Sequence, residues 1–393
     1  MIGWRTPDFW WESRPTFPAR LLKPLGDTYG AETAGRMRRR GVAFEIPVIT
    51  VGAFALGGPG KTPAVEALVG LLIAVGERPA ILSRGYGSAA AKQRAPTFVN
   101  VSKHSARDVG DEPLLLTRTA PVIVGTDRVE AGWLARRAMN PSVLVLDDGL
   151  QSRQIEPDLA IAVVDGEAGI GNGLCAPAGP LRAPMAAQIR HVDAVVVVGP
   201  GERGAEIARL AMNSRKRVLT ARLIPRSGEA ERFAGKPVVA FAGIGRPQKF
   251  FAMLQQMGAD LRVRHSFADH HMYTRSELAK LQASAHRYGA HLVTTEKDLA
   301  RLQIQPPHPE EVSDLGCLRD QYASSKSGTP DFDRTVSKTR QTHSPLPAFE
   351  TRSGGALLRV SGEIDAVGVE LVFDDAEAID SLLLSATQSK AGA

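Results

Sequence analysis

The feature that most constrains this chain is residues 49–76, ITVGAFALGGPGKTPAVEALVGLLIAVG. An apolar run breaks into a turn dense in glycine, and the turn opens into a helical pattern with Val65, Leu68, Val69 and Leu72 spaced to face a core. Such a succession aims backbone N–H groups and a helix N-terminus at one point, which stabilises bound phosphate oxygens. Gly57, Gly58 and Gly60 keep the turn tight, Lys61 is placed to reach the β- and γ-phosphates of a nucleotide, and Thr62 to set a hydroxyl on Mg2+. The match to the usual P-loop pattern is imperfect, because Ala55 stands at the first glycine position. A glycine-rich turn with an incidental exposed lysine is the alternative reading, and Gly-Lys-Thr between strand and helix argues against it.

Around this turn, short apolar runs alternate with helical patterns, the signature of βαβ units. Strands are expected at 46–51, 80–82, 122–124, 143–146, 159–164 and 194–198, each reading as buried on both faces. The fold class is therefore α/β: a P-loop NTPase-like, mostly parallel sheet with helices on both faces, plus a second, smaller α/β domain. That second block begins near Gly235, with a strand at 238–241, helices at 248–257 and 275–288, and a strand at 291–294. The expected organisation is an N-terminal arm at 1–40, a P-loop domain at 41–225, and a C-terminal α/β domain at 226–393. Within the last, 305–355 reads as a flexible insertion, and order returns at 356–360, 367–373 and a helix at 375–386. At 43% hydrophobic and 23% charged, the chain is neither wholly disordered nor membrane-embedded.

A phosphate-binding turn needs acidic help to hold its metal, usually at the end of a neighbouring buried strand. The run at 143–146 leads straight into Asp147 and Asp148, at the edge where open α/β sheets bind ligands. A charged turn after a strand is the plainer explanation, weakened by the upstream P-loop. A kinase also needs a carboxylate, or a carboxylate–histidine pair, to accept the proton of the attacking hydroxyl. Asp111 in VGDEPLLL and Asp269, His270 and His271 in FADHHMYT are the candidates. From spacing alone, Asp111 reads equally as an N-cap and His270 as a turn residue.

The net charge of +6 is unevenly placed. Residues 1–40 hold eight Arg/Lys (Arg5, Arg14, Arg20, Lys23, Arg36, Arg38, Arg39 and Arg40) against four acids, so eight minus four gives four of the six charges there. Trp4, Trp10 and Trp11 share the stretch, and aromatic rings beside basic side chains suit a membrane surface with anionic headgroups. A helical arm folded onto its own domain is the alternative. The apolar run 64–75 is interrupted by Glu66 and too short to span a bilayer, and no signal-peptide pattern opens the chain. No nucleic-acid motif accompanies the basic residues, so no nucleic-acid partner is expected. Cys175 and Cys317 lie too far apart in sequence to form a disulfide framework or a four-ligand zinc site, which suits a reducing cytoplasm.

Ten strings, in order, resemble the tetraacyldisaccharide 4′-kinase (lipid A 4′-kinase) family: FWW at 9–11, LLKPLGDTYG at 21–30, LGGPGKTP at 56–63, LSRGYG at 82–87, GDEPLLL at 110–116, DDGLQ at 147–151, GNGLCAPAGPLR at 171–182, FAGIGRPQKFF at 241–251, FADHHMYT at 267–274 and VTTEKDLARL at 293–302. The resemblance implies ATP- and Mg2+-dependent phosphorylation of the 4′-hydroxyl of a lipid A disaccharide 1-phosphate precursor at the cytoplasmic face of the bacterial inner membrane. It also implies nucleotide and metal binding by Lys61, Thr62, Asp147 and Asp148, with Asp111 as general base and His270 as its partner. Arg84, Arg128, Asn172 and Arg182 are carried over as phosphate or sugar contacts, and Trp10 and Trp11 as membrane-facing rings. Ala53, Phe54, Ala55 and Pro59 depart from the family's turn, Pro59 removing one N–H donor, and Ser152 follows Gln151 where a histidine is common.

A second class of function also accommodates the P-loop and the basic arm: a nucleotide-gated adaptor that docks on membranes and hydrolyses nucleotide slowly. TTEKD at 294–298 resembles the guanine-reading NKxD string only superficially, since Thr295 replaces Asn. The adaptor leaves the carboxylate and histidine candidates without a role.

Overall fold

A computed structural model describes residues 7–57, 60–93, 95–302, 364–388 and Lys390. The segments expected as a flexible insertion at 305–355 and as ordered chain at 356–360 lie outside these residues, as do Trp4 and Gly58.

The strands of the large sheet are β1 (Val48–Gly52), β2 (Pro79–Ser83), β3 (Thr97–Phe98), β4 (Val122–Val124), β5 (Val143–Asp147), β6 (Leu159–Asp165), β7 (Ala194–Val198) and β8 (Arg217–Pro225). The small sheet is built from β9 (Pro237–Ala242), β10 (Asp260–Ser266), β11 (His291–Thr295) and β12 (Ile364–Val367), and the last described elements are β13 (Val369–Phe373) and a helix at Ala376–Gln388. The large sheet runs β13-β8-β7-β6-β1-β5-β2-β4-β3 and the small one β10-β9-β11-β12. All ladders are parallel except β3 with β4 and β13 with β8, at the two edges of the large sheet. The α/β class expected from the alternating pattern is what the chain adopts.

Period-two alternation explains the layering. Ile49, Val51, Val143, Val145, Ile161 and Val163 pack on one face with Val65, Leu68 and Leu72 of the helix Lys61–Ala74. Val48, Leu144 and Leu146 pack on the other face with Ala131 and Ala135 of the helix Arg128–Met139. The P-loop strand β1 lies between β5 and β6, in the middle of the order, so the turn that follows it opens at the carboxyl edge.

The tail differs from the sequence expectation. Residues 226–393 do not all stay with the small sheet: β13 pairs with β8, and Ile379, Leu382, Leu383 and Ala386 of the last helix fill the core beside Leu68 and Leu72. That apolar face finds its cover on the large sheet. β8 itself was not expected as a strand; it sits near the sheet edge with Arg217, Thr220 and Arg222 exposed, so it lacks the continuous apolar run of a central strand. Both sheets belong to one compact unit.

The arm also needs correcting. Trp10, expected to face lipid, is 2% exposed; its indole donates to the carbonyl of Pro177 at 2.9 Å, and its own carbonyl accepts from the N–H of Asn172 at 2.8 Å. A ring with a buried polar tip and a buried body serves the fold. Trp11 is half-buried, with its carbonyl accepting from Arg203 at 2.7 Å. No helix among the described residues is long and apolar enough to cross a membrane.

Candidate active site

The turn after β1 ends at Gly60, whose φ of 95° is one that L side chains rarely adopt, and the helix begins at Lys61 with Ala64 N–H bonded to Gly60 O at 2.9 Å. Lys61 and Thr62 are therefore both first-turn residues, and both are buried. The Thr62 hydroxyl is buried with no hydrogen-bond partner among the described residues. A buried orphan hydroxyl at the start of this helix is a hard oxygen donor awaiting a ligand.

Neighbouring segments brace the turn. The N–H of Leu56 bonds the Pro180 carbonyl at 2.8 Å, and the N–H of Arg182 bonds the Phe54 carbonyl at 2.9 Å. Buried Gln188 donates to the carbonyls of Phe54, at 3.1 Å, and Ala183, at 2.7 Å, while Gln151 donates to the Ala53 carbonyl at 2.9 Å. Each closes a backbone acceptor that would otherwise be costly to bury. Gln188 lies outside the ten strings and was not anticipated.

At the end of β5 the two acidic residues occupy different environments. Asp147 accepts from the Ser83 hydroxyl at 2.9 Å, and burial, with Glu112 and Asp148 nearby, pushes its carboxyl up to about 7. Asp148 leaves the strand in a left-handed conformation (φ 56°) and pairs with Arg182 at 2.8 Å. Burial raises its carboxyl, but Arg182 foremost, then Lys61 and Arg128, bring it down to about 2. The second Asp148 oxygen, Oδ1, is buried and has no hydrogen-bond partner among the described residues. One hydroxyl and two carboxylates beside this turn are hard oxygen donors, of the kind Mg2+ takes alongside nucleotide phosphates.

Of the residues carried over as substrate contacts, Arg182 lies in this site, holding Asp148 and reaching the Ala55 carbonyl at 3.4 Å. Arg128 is buried behind the acidic pair, donating to the carbonyls of Asp147 at 2.8 Å and Asp148 at 3.0 Å. Asn172 is likewise buried, donating to the carbonyls of Phe9 and Ala178. Both are committed to the backbone, which leaves them to shape the site. Arg84 is exposed, directly after β2.

Asp111 opens the short helix Asp111–Leu116, which packs beside the helix Lys61–Ala74; its neighbour Glu112 feels the charge of Lys61. His270 comes from the loop after β10 and also has positive φ, 56°. The structure brings the two together: His270 Nδ1 lies 3.4 Å from Asp111 Oδ2. The hydrogen bond to Asp111 raises the His270 ring above its usual value against the opposing effect of burial. His271 instead pairs with Glu277 at 3.1 Å and stacks on Phe267.

Sequence reasoning missed a third member. Arg301, on the helix Glu296–Leu302, donates from Nε to Asp111 Oδ2 at 2.7 Å. On the same helix, Lys297 pairs with Glu112 at 2.6 Å. The backbone of the small-sheet segment approaches the phosphate turn as well, since a Cβ built at Gly245 would stand 3.3 Å from the Gly57 carbonyl. The VTTEKDLARL string carried the signal: Arg301 stands three residues after Asp298, one turn along a helix, but nothing local says that it reaches back to residue 111.

A parallel α/β sheet whose central strand feeds a lysine- and threonine-bearing phosphate turn, with an acidic pair beside it, defines a P-loop nucleotide-binding fold. The comparisons narrow this. The model of the Tetraacyldisaccharide-1-P 4′-kinase family matches residues 18–331, and the chain belongs to that family. It is 50% identical over 303 residues to the tetraacyldisaccharide 4′-kinase of Methylobacterium nodulans, covering 77% of this chain and 89% of that one. It is 46% identical over 314 residues to the enzyme of the same name from Rhodopseudomonas palustris strain BisB5, covering 80% and 91%. A crystal structure described as the "apo" form of LpxK from Aquifex aeolicus in complex with ATP shares the fold, with a TM-score of 0.63, 23% identity, and coverage of 94% of this chain and 99% of that one.

Proposed function

We propose that this chain transfers the γ-phosphoryl group of ATP to the 4′-hydroxyl of a tetraacyldisaccharide 1-phosphate, with Asp111 as the base and His270 as its partner. The observation that carries this reading is the Asp111–His270 approach, 3.4 Å, beside the helix that begins with Lys61 and Thr62. Thr62, Asp147 and Asp148 would hold Mg2+, which would neutralise charge on the phosphoryl group that bound ATP supplies. Lys61 and the braced turn hold the phosphate tail in line, which is most of what phosphoryl transfer asks of a protein. The acceptor oxygen forms its bond to the γ-phosphorus as the bond to the β–γ bridging oxygen breaks. ADP leaves, and the alcohol proton passes to Asp111. Burial raises the Asp111 carboxyl, but Arg301 and then His270 hold it well below the usual carboxylate range, so it stays ionised and is a weak base. A weak base suits a loose transition state, where orienting the alcohol matters more than pulling its proton.

The same reading places the chain against the cytoplasmic face of a membrane through the helix Phe17–Met37. Phe17, Leu21 and Leu25 recur every four residues and are 78%, 70% and 62% exposed, with exposed Arg14, Arg20 and Lys23 near them. An apolar stripe flanked by cations is suited to lie in the headgroup layer, and it takes over the part first given to Trp10. The deciding experiment incubates the protein with γ-labelled ATP and a tetraacyldisaccharide 1-phosphate in mixed micelles. Label moving to the lipid is the expected result; label released only as free phosphate favours the nucleotide-gated adaptor.

A further inference from the structure

Arg301 is 5% exposed and bonded on every side. Its Nη1 donates to the Gly243 carbonyl at 2.6 Å and to Asp298 Oδ1 at 2.9 Å. Asp298 is itself fixed by the Gly243 N–H at 3.1 Å, the Tyr273 hydroxyl at 2.9 Å and the Thr295 hydroxyl at 2.6 Å. Asp298 already supplies this guanidinium with a buried counter-charge and Gly243 with a further acceptor, so a packing role is met without Asp111. Yet Nε, at 2.7 Å, and Nη2, at 2.5 Å, both turn to Asp111, and both meet the same oxygen, Oδ2, that faces His270 Nδ1. Nη2 also lies 3.4 Å from His270 Nδ1.

We propose that Arg301 is a positioning residue for the transfer: braced by Asp298 and Gly243, it clamps Oδ2 of Asp111 and aligns His270, so that the other oxygen, Oδ1, is the one presented to the acceptor hydroxyl. This rests on the reading of Asp111 as the base. A guanidinium suits the task because its fork is planar and cannot lose its proton, whereas an ammonium offers a point charge without fixed direction. The charged groups acting on Asp111 are Arg301 and Lys297 on the helix Glu296–Leu302, His270 on the loop after β10, and Glu112 beside it; Asp298 and Asp269 act in turn on Arg301, and Lys61 on Glu112. Of these, Arg301 has the largest effect in keeping Asp111 ionised. Without it, the carboxylate should hold its proton to higher pH.

The test measures kcat and KM for ATP and lipid acceptor from pH 5 to 9 in the full chain, for the unaltered protein, Arg301→Gln, Arg301→Lys and Asp111→Asn, with thermal melting of each. Arg301→Gln should lose at least tenfold in kcat at pH 6, recover part of it by pH 8.5, and leave KM for ATP within about twofold. Arg301→Lys should retain more turnover with an intermediate pH profile, and it decides the matter if the Gln variant does not fold. A loss that is uniform across pH, or one carried by KM for ATP, overturns the proposal. If Asp111→Asn is inactive while Arg301→Gln and Arg301→Lys match the unaltered profile, the Arg301 assignment alone falls. Normal turnover by Asp111→Asn removes the reading beneath it and the proposal together.

Discussion

The two sheets contribute to the site by different means. From the large sheet come backbone and strand-end groups, such as the turn at Gly60, the helix start at Lys61 and Thr62, and Asp147 and Asp148 at the end of β5, each formed within a short stretch of chain and then braced by Gln151, Arg182 and Gln188. The small sheet sends single side chains, His270 and Arg301, whose positions depend on a buried polar cluster of Asp298, Tyr273 and Gly243. A site made mostly of backbone and strand-end groups with several separate braces tolerates the loss of one side chain, whereas one made by a single buried polar cluster stands or falls as a unit. Loss of function in the first should come with the fold intact, and in the second the two should be coupled.

Lys61→Ala offers the largest contrast. Removing the cation from the phosphate turn is expected to cut turnover by about 10^2- to 10^3-fold, the scale seen when a transition-state charge contact is lost, with the melting temperature nearly unchanged. Steady-state kinetics beside thermal melting reads both; a matching collapse in stability would erase the distinction drawn between the sheets. Asp298→Ala should do both at once. It leaves Arg301 and Tyr273 without their shared acceptor, at a cost of about 3 kcal/mol in stability by urea unfolding, and it lowers turnover through Asp111. Turnover that survives such destabilisation would show the small-sheet cluster to be scaffolding alone.

The seam between the sheets gives a smaller, pH-dependent effect. Glu66 on the P-loop helix lies 3.3 Å from Arg226, which also meets Glu296 at 2.8 Å. Burial foremost, against the pull of Arg226, pushes the Glu66 carboxyl from its ordinary 4.5 up to about 7. The folded state thus favours the protonated form. Its stabilising contribution is full below pH 4.5 and is lost as pH rises through about 7. Glu66→Gln, which cannot ionise, should gain on the unaltered protein by about 3 kcal/mol across that window. Chemical denaturation at pH 4.5 and 7.5 checks it, and a gap that does not change with pH would place the seam's ionisation elsewhere.

The same division explains what could be read from the sequence. The phosphate turn, the acidic pair and the parallel strands were legible because each is written in consecutive residues with a fixed period or spacing. Asp111 and His270 were found as candidates, but only the resemblance joined them, since they stand 159 residues apart and meet through the packing of the two sheets. Arg301 went unnoticed inside a recognised string because its partner lies across the site. Trp10 misled for a related reason: aromatic and basic composition suggested a lipid-facing arm, but composition does not say which ring turns inward. The exposed stripe Phe17, Leu21 and Leu25 follows the helical period and could have been found by it.

The most direct measurement is a double-mutant cycle on phosphoryl transfer to lipid, using Asp111→Ala, His270→Ala and the two combined. If Asp111 and His270 act as one unit across the two sheets, the combined variant should be no more than a fewfold slower than Asp111→Ala alone, with ATP still bound. Losses that multiply as though the two sites were independent, or an Asp111→Ala variant that still phosphorylates lipid at near-normal rate, would contradict it.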